Sequence, residues 1–133
     1  MMSWYDWKTV PFEELKGKVL ECVHRVEDEE LHFITDGGEH YRMSHQQDCC
    51  ESVAIEDITG NLDDLIGTPI TMAEEAQNYD PGPLDEEWDE SYTWTFYKLA
   101  TVKGYVTIRW YGSSNGYYSE KVDFEKYQPQ EVE

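Results

Sequence analysis

The densest run of reactive side chains is Ser44-His45-Gln46-Gln47-Asp48-Cys49-Cys50-Glu51, which gathers an imidazole, two thiols and two carboxylates. Upstream, Cys22 and His24 stand two apart in a run that reads as a strand, so their side chains share a face. Folded beside the 45–50 connection, Cys22, His24, His45, Cys49 and Cys50 would offer the thiolate and imidazole ligands of a zinc site. The spacing argues against it, because neither a Cys-x-x-Cys nor a zinc-finger-like histidine pair is present. Free cysteine is also among the most buried residue types, which favours a structural role. A cysteine nucleophile activated by His45 is a further chemical option. It needs a positive neighbour to lower the thiol pKa, and no Lys or Arg lies nearby in the chain.

The second candidate is acidic. In an extended chain, Asp85, Glu87 and Asp89 would project to one side and Glu86, Trp88 and Glu90 to the other. With Glu74, Glu75 and Asp80 upstream, such a ribbon resembles a phosphate backbone in charge and could occupy the nucleic-acid groove of a basic protein. Trp88 would then be an anchor, as tryptophan is enriched at binding hot spots. The competing expectation is a solvated loop with one tryptophan packed back on the domain. Neither a calcium-binding loop of Asp-x-Asn/Asp type nor a phosphate-binding glycine loop is present, and Gly112-Ser113-Ser114-Asn115-Gly116 lacks the following lysine.

Charge bounds the choice of partner. The 133 residues carry a formal net charge of -19, from 29 acidic and 10 basic residues. No Lys or Arg lies between Arg42 and Lys98, while that stretch holds fourteen carboxylates. Such a field repels nucleic acid and anionic membranes and steers a basic protein inward. The alternative reading is an acidic surface that merely keeps the protein soluble. No apolar run approaches the roughly 20 residues of a membrane span, and Met1–Val10 lacks the layout of a secretory signal. Three cysteines make no paired framework. Adjacent Cα atoms, ~3.8 Å apart, fall below the usual disulfide window of ~4.4–6.8 Å. A reducing cytoplasm is therefore expected.

Several elements must position these groups. Pro11 to Gly17 reads as a helical turn, opened by proline and closed by glycine. Strands are expected over 18–26, 31–35 and 39–44, the last two joined at Asp36-Gly37-Gly38, and over 52–57. Asn61 is expected to cap a short helix through Leu62 and Leu65. Residues 69–76 fit strand or helix equally, and residues 77–90 read as an acidic loop. The aromatic, β-branched runs 91–101, 105–111 and 118–127 suggest three strands in an antiparallel meander. The whole is expected to be one α+β domain, 1–133, mainly a curved antiparallel sheet or roll with one or two short helices. Residues 1–10 and 128–133 would be loosely ordered.

The stretch His45, Gln47-Asp48-Cys49-Cys50-Glu51, Val53, Ile55 to Ile58 and Leu62 to Pro69 resembles a family of small uncharacterised proteins of bacteriophages and their hosts. The Tyr97-Lys98 pair and the runs Gly104 to Gly112 and Asn115 to Ser119 are similar to it as well, so the likeness covers roughly residues 40 to 124. The resemblance implies a phage accessory protein in the host cytoplasm and carries no assigned activity. Small acidic phage proteins that block host defence nucleases form the functional class nearest this charge pattern. The leading expectation is thus a non-enzymatic, anti-CRISPR-like inhibitor that binds a basic protein through residues 74–90 and needs no cofactor. The alternatives are a zinc-binding protein or metal-dependent enzyme built on His45, Cys49 and Cys50, and a structural phage protein.

Overall fold

The computed structural model describes residues 5–47, 49–80, 91–114 and 119–129. Among these residues, nine strands form two antiparallel sheets: β1 (Tyr5–Thr9), β2 (Leu20–Val26), β3 (Glu30–Thr35), β4 (His40–Ser44), β5 (Ser52–Thr59), β6 (Met72–Asp80), β7 (Ser91–Thr101), β8 (Gly104–Ser114) and β9 (Asp123–Pro129). One sheet runs β1-β9-β4-β3-β2 and the other β5-β8-β7-β6. The expected α+β class is therefore wrong: this is a β protein, with no α-helix among the described residues. The two helical segments, Phe12–Leu15 and Leu62–Leu65, are four-residue 3-10 turns. Pro11 and Gly17 bracket the first too closely for α-helical bonding, and its role is to bury Phe12 and Leu15. In the second, the Asn61 side chain accepts from the Asp63 N–H, as a capping residue should.

The strands form because their apolar residues alternate. In β3, Leu31, Phe33 and Thr35 point inward, in β4 Tyr41 and Met43, and in β8 Val106, Ile108 and Trp110. A period of two places these groups on one face of each sheet, and the two faces meet across a shared core. Trp110, fully buried, donates its Nε1–H to the Met43 sulfur at 3.1 Å and so links the sheets directly. Phe12 lies against both Tyr97 and Phe124, with ring centroids 4.7 and 5.1 Å away.

Three other expectations change. The meander is β6-β7-β8, while β9 leaves it to pair with β1 and β4 in the other sheet. Residues 77–80, read as loop, extend β6 because β7 offers a continuous partner, from Met72 opposite Ala100 to Asp80 opposite Tyr92. The chain start is not loose over residues 5–9, since Tyr5 to Thr9 pairs with Pro129 to Glu125. No helix among the described residues is long and apolar enough to cross a membrane.

Candidate functional site

The His45–Glu51 segment crosses from one sheet to the other, leaving at the end of β4 and arriving at the start of β5. His45 Nδ1 lies 2.6 Å from the carbonyl oxygen of Lys121, just before β9, and Nε2 lies 2.7 Å from Glu51 Oε2. A carbonyl only accepts, so Nδ1 carries a hydrogen. The Nε2 contact with a carboxylate is attractive only with a proton between the two. The His45 side chain is 5% exposed and that of Glu51 0%. Glu51 Oε1 accepts the Cys49 backbone N–H at 2.9 Å. The Gln47 amide donates to the carbonyl oxygens of Glu51, at 2.7 Å, and Cys49, at 3.3 Å. The buried carboxylate is thus satisfied by an imidazole and a backbone amide, as burial requires.

Cys49 and Cys50 are joined by a disulfide, their Cα atoms 3.7 Å apart. This departs from the expectation of free thiols: the folded loop presents both sulfurs on the exposed side, while Glu51 turns inward. The structure does not bring the proposed zinc ligands together. Cys22 is free and exposed on β2, His24 stands opposite His32 in β3, and His45 is held in its clasp. Among the described residues, no group of three or more His, Cys, Asp or Glu could hold a metal ion. Both nitrogens of His45 are engaged, so in this arrangement it acts as a tie between segments and offers no free base to a nucleophile.

A surface hollow of about 490 Å³ opens beside the clasp, lined by Glu27, Asp28 and Glu29 of the β2–β3 turn and by His45, Gln47, Glu51, Ser52, Val53 and Ala54. The turn is pinned there by the Ile55 N–H, which donates to the Asp28 carbonyl at 2.8 Å. Among the described residues, no lysine or arginine lines the hollow. Arg25 is the neighbouring base, its guanidinium 2.6 Å from Asp28. Sequence reasoning left residues 27–30 as the connection between two strands but gave no role to the visible acidic run Glu27-Asp28-Glu29-Glu30.

A second cluster was also missed. His24, His32 and His40 recur every eight residues, the repeat of the β2-β3-β4 strands that carry them. His32 Nδ1 is 2.8 Å from His40 Nε2, and His32 Nε2 is 2.8 Å from Glu30. Trp7 packs edge-on against His40 at 5.2 Å, with the Arg42 guanidinium 4.0 Å over its ring. Burial, His32 and Arg42 all hold the His40 pKa below its ordinary value.

The acidic candidates divide. Asp85, Glu86, Glu87, Trp88, Asp89 and Glu90 lie outside the described residues, and Asp80 closes β6. Strand alternation separates Glu74 and Glu75: Glu74 is opposite Lys98, whereas Glu75 shares a face with Tyr97, whose hydroxyl lies 3.5 Å from its carboxylate. Burial of the carboxyl end, reinforced by Glu13, raises the Glu75 pKa. Glu56 is ion-paired with Arg109, and Glu51 is buried with His45. The described carboxylates of the lysine-free stretch therefore do not form one contiguous patch.

No curated protein and no solved structure matches the chain. A family model described as "Domain of unknown function (DUF7448)" matches residues 13–124, from the first 3-10 turn to Phe124 in β9. On that match the chain belongs to the DUF7448 family.

Proposed function

We propose that this protein is a non-enzymatic binding protein that captures a basic surface of a protein partner. The observation that supports it best is the hollow beside the His45–Glu51 clasp, rimmed by Glu27, Asp28 and Glu29 and, among the described residues, lined by no lysine or arginine. Among the described residues, Lys18, Arg25, Arg42, Arg109, Lys121 and Lys126 already stand in ion pairs. With 29 acidic residues, the outward field stays negative. A lysine or arginine of the partner entering the hollow would meet three carboxylates and compete with Arg25 for Asp28.

In its narrower form the reading is a phage-encoded inhibitor, cytoplasmic in the host, that fills the nucleic-acid groove of a defence nuclease such as a CRISPR effector. Residues 74–90 would make a contact of their own, since β6 stands at the other edge of its sheet from β5. The support for this form is the net charge of -19 and the resemblance carried by the His45–Glu51 motif.

The test is capture from host extract at low salt, followed by titration of the captured partner at rising ionic strength. Glu27→Gln/Asp28→Asn/Glu29→Gln is compared with a variant neutralised at Asp85, Glu86, Glu87, Asp89 and Glu90. The reading requires affinity to fall with salt and to fall further in the turn variant. An affinity indifferent to salt overturns the basic-partner reading. Weakening confined to the second variant moves the contact to residues 85–90.

A further inference from the structure

We propose that Cys49–Cys50 is a thiol-exchange site, reduced by a dithiol, whose redox state sets the strength of the His45–Glu51 clasp. Both cysteines are exposed, so a small dithiol or a reductant protein can reach the bond. The exchange balances as two displacements. A thiolate of the reductant attacks one cysteine sulfur, the Cys49–Cys50 bond breaks, and the other cysteine leaves as thiolate and takes a proton. The second reductant thiol then attacks the mixed disulfide, releasing the first cysteine as a thiol and the reductant as its own disulfide. Two electrons pass to the protein.

Coupling to the clasp follows from the hydrogen bonds. The Cys49 N–H is one of the donors that hold the buried Glu51 carboxylate, and the Gln47 amide ties the carbonyls of Cys49 and Glu51 to the same loop. A ring closed through two adjacent residues removes rotational freedom from the backbone between them, which keeps that N–H aimed at Glu51. Opening the ring restores the freedom, and the amide spends less time on the carboxylate. Glu51 in turn holds His45, and His45 holds the carbonyl of Lys121 ahead of β9. Reduction is therefore felt where the β4–β5 and β8–β9 crossovers meet. The coupling is reciprocal: whatever the closed ring contributes to the clasp, an intact clasp contributes to the closed ring.

The reciprocity gives the test, which does not depend on any partner. A Cys22→Ser background removes the one other cysteine. The protein is equilibrated in graded ratios of reduced to oxidised dithiothreitol, free thiols are trapped by alkylation, and the products are counted by mass. Glu51→Gln is expected to raise the equilibrium constant for reduction roughly tenfold, a shift of about 30 mV for a two-electron couple. His40→Gln, in the other cluster, is expected to leave it unchanged. An equal constant for Glu51→Gln and the parent overturns the coupling, and two free thiols under fully oxidising conditions overturn the site. A second measurement needs no change at the clasp. In the parent protein, amide hydrogen exchange at Cys49 is expected to be faster in the reduced form, and equal protection in both forms refutes the proposal.

Discussion

His45 and Glu51, six residues apart, face each other at 2.7 Å with both side chains almost wholly withdrawn from solvent. The pair ties two crossovers between sheets, because the other imidazole nitrogen binds the Lys121 carbonyl, 76 positions along the chain. Breaking a buried pair by removing one partner costs about 3–5 kcal/mol, since the remaining group stays buried without its match. Glu51→Ala and His45→Ala are each expected to lower unfolding stability by that order, read from urea denaturation. The double variant should lose much less than the sum of the two, because both single changes break the same contact.

His40 supplies a pH dependence of definite sign. Its pKa in the folded protein lies below the ordinary histidine value of 6.5, chiefly through burial and then through His32 and Arg42. The unfolded chain therefore binds this proton more readily. The stability linked to His40 is complete above pH 6.5 and is lost as pH falls through the window below it. His40→Gln should flatten the fall in unfolding free energy between neutral pH and about pH 5, where an unperturbed histidine is almost fully charged. A slope identical to that of the parent would show that His40 does not titrate differently on folding.

Glu75 behaves in the opposite sense. Burial of its carboxyl, with Glu13 adding repulsion, raises its folded pKa above 4.5, while Tyr97 and Lys121 oppose the shift. The folded state thus disfavours the charged form, and the penalty is present at neutral pH. It is relieved as pH falls through the raised folded value toward 4.5. Glu75→Gln is expected to stabilise the protein slightly at pH 7, and the gain should vanish near pH 4. Paired denaturation curves at the two pH values check it.

Gly112 in β8 packs directly against Glu120, whose carboxylate accepts hydrogen bonds from Ser91 and Ser114 at 2.5 Å and from Thr93 at 2.6 Å. A Cβ at position 112 would lie 2.9 Å from the Glu120 Cβ and 3.2 Å from its carbonyl oxygen. Gly112→Ala should destabilise by about 1–3 kcal/mol through overpacking. Thermal unfolding would show the drop, and Gly37→Ala, where an added methyl meets only the Thr35 hydroxyl at 3.9 Å, should be nearly neutral. Equal melting temperatures for the two variants would refute the close approach.

Much of this was legible in the residue order, wherever the physics is local. Alternation in Leu31-His32-Phe33 and Val53-Ala54-Ile55 marks the inner face of a strand, because side chains in an extended chain change sides at every step. Asp36-Gly37-Gly38 marks the β3–β4 turn, with Gly38 in the left-handed region at φ +89°. Asn61 caps the second 3-10 turn by accepting the Asp63 N–H, two residues on. The candidate site was half legible. The His45–Glu51 segment was singled out for its chemistry, yet its zinc reading assumed a convergence with Cys22 and His24 that strand pairing does not produce. Their partners are Ile34 and His32 across the ladder. Equal eight-residue steps between His24, His32 and His40 hold the second cluster in plain view, but their meaning depends on knowing that three strands pair in register.

The order of residues alone thus determined that the chain is acidic, aromatic and strand-forming, and where its turns fall, since these follow from composition and from interactions within a few positions. Folding alone decided that β9 leaves the meander for the other sheet, that Glu51 is buried and Glu74 is not, and that the acids of the β2–β3 turn rim a hollow. Each of these outcomes rests on contacts between distant parts of the chain. Such contacts are chosen by which faces bury together, and no short window of sequence contains both sides of that choice.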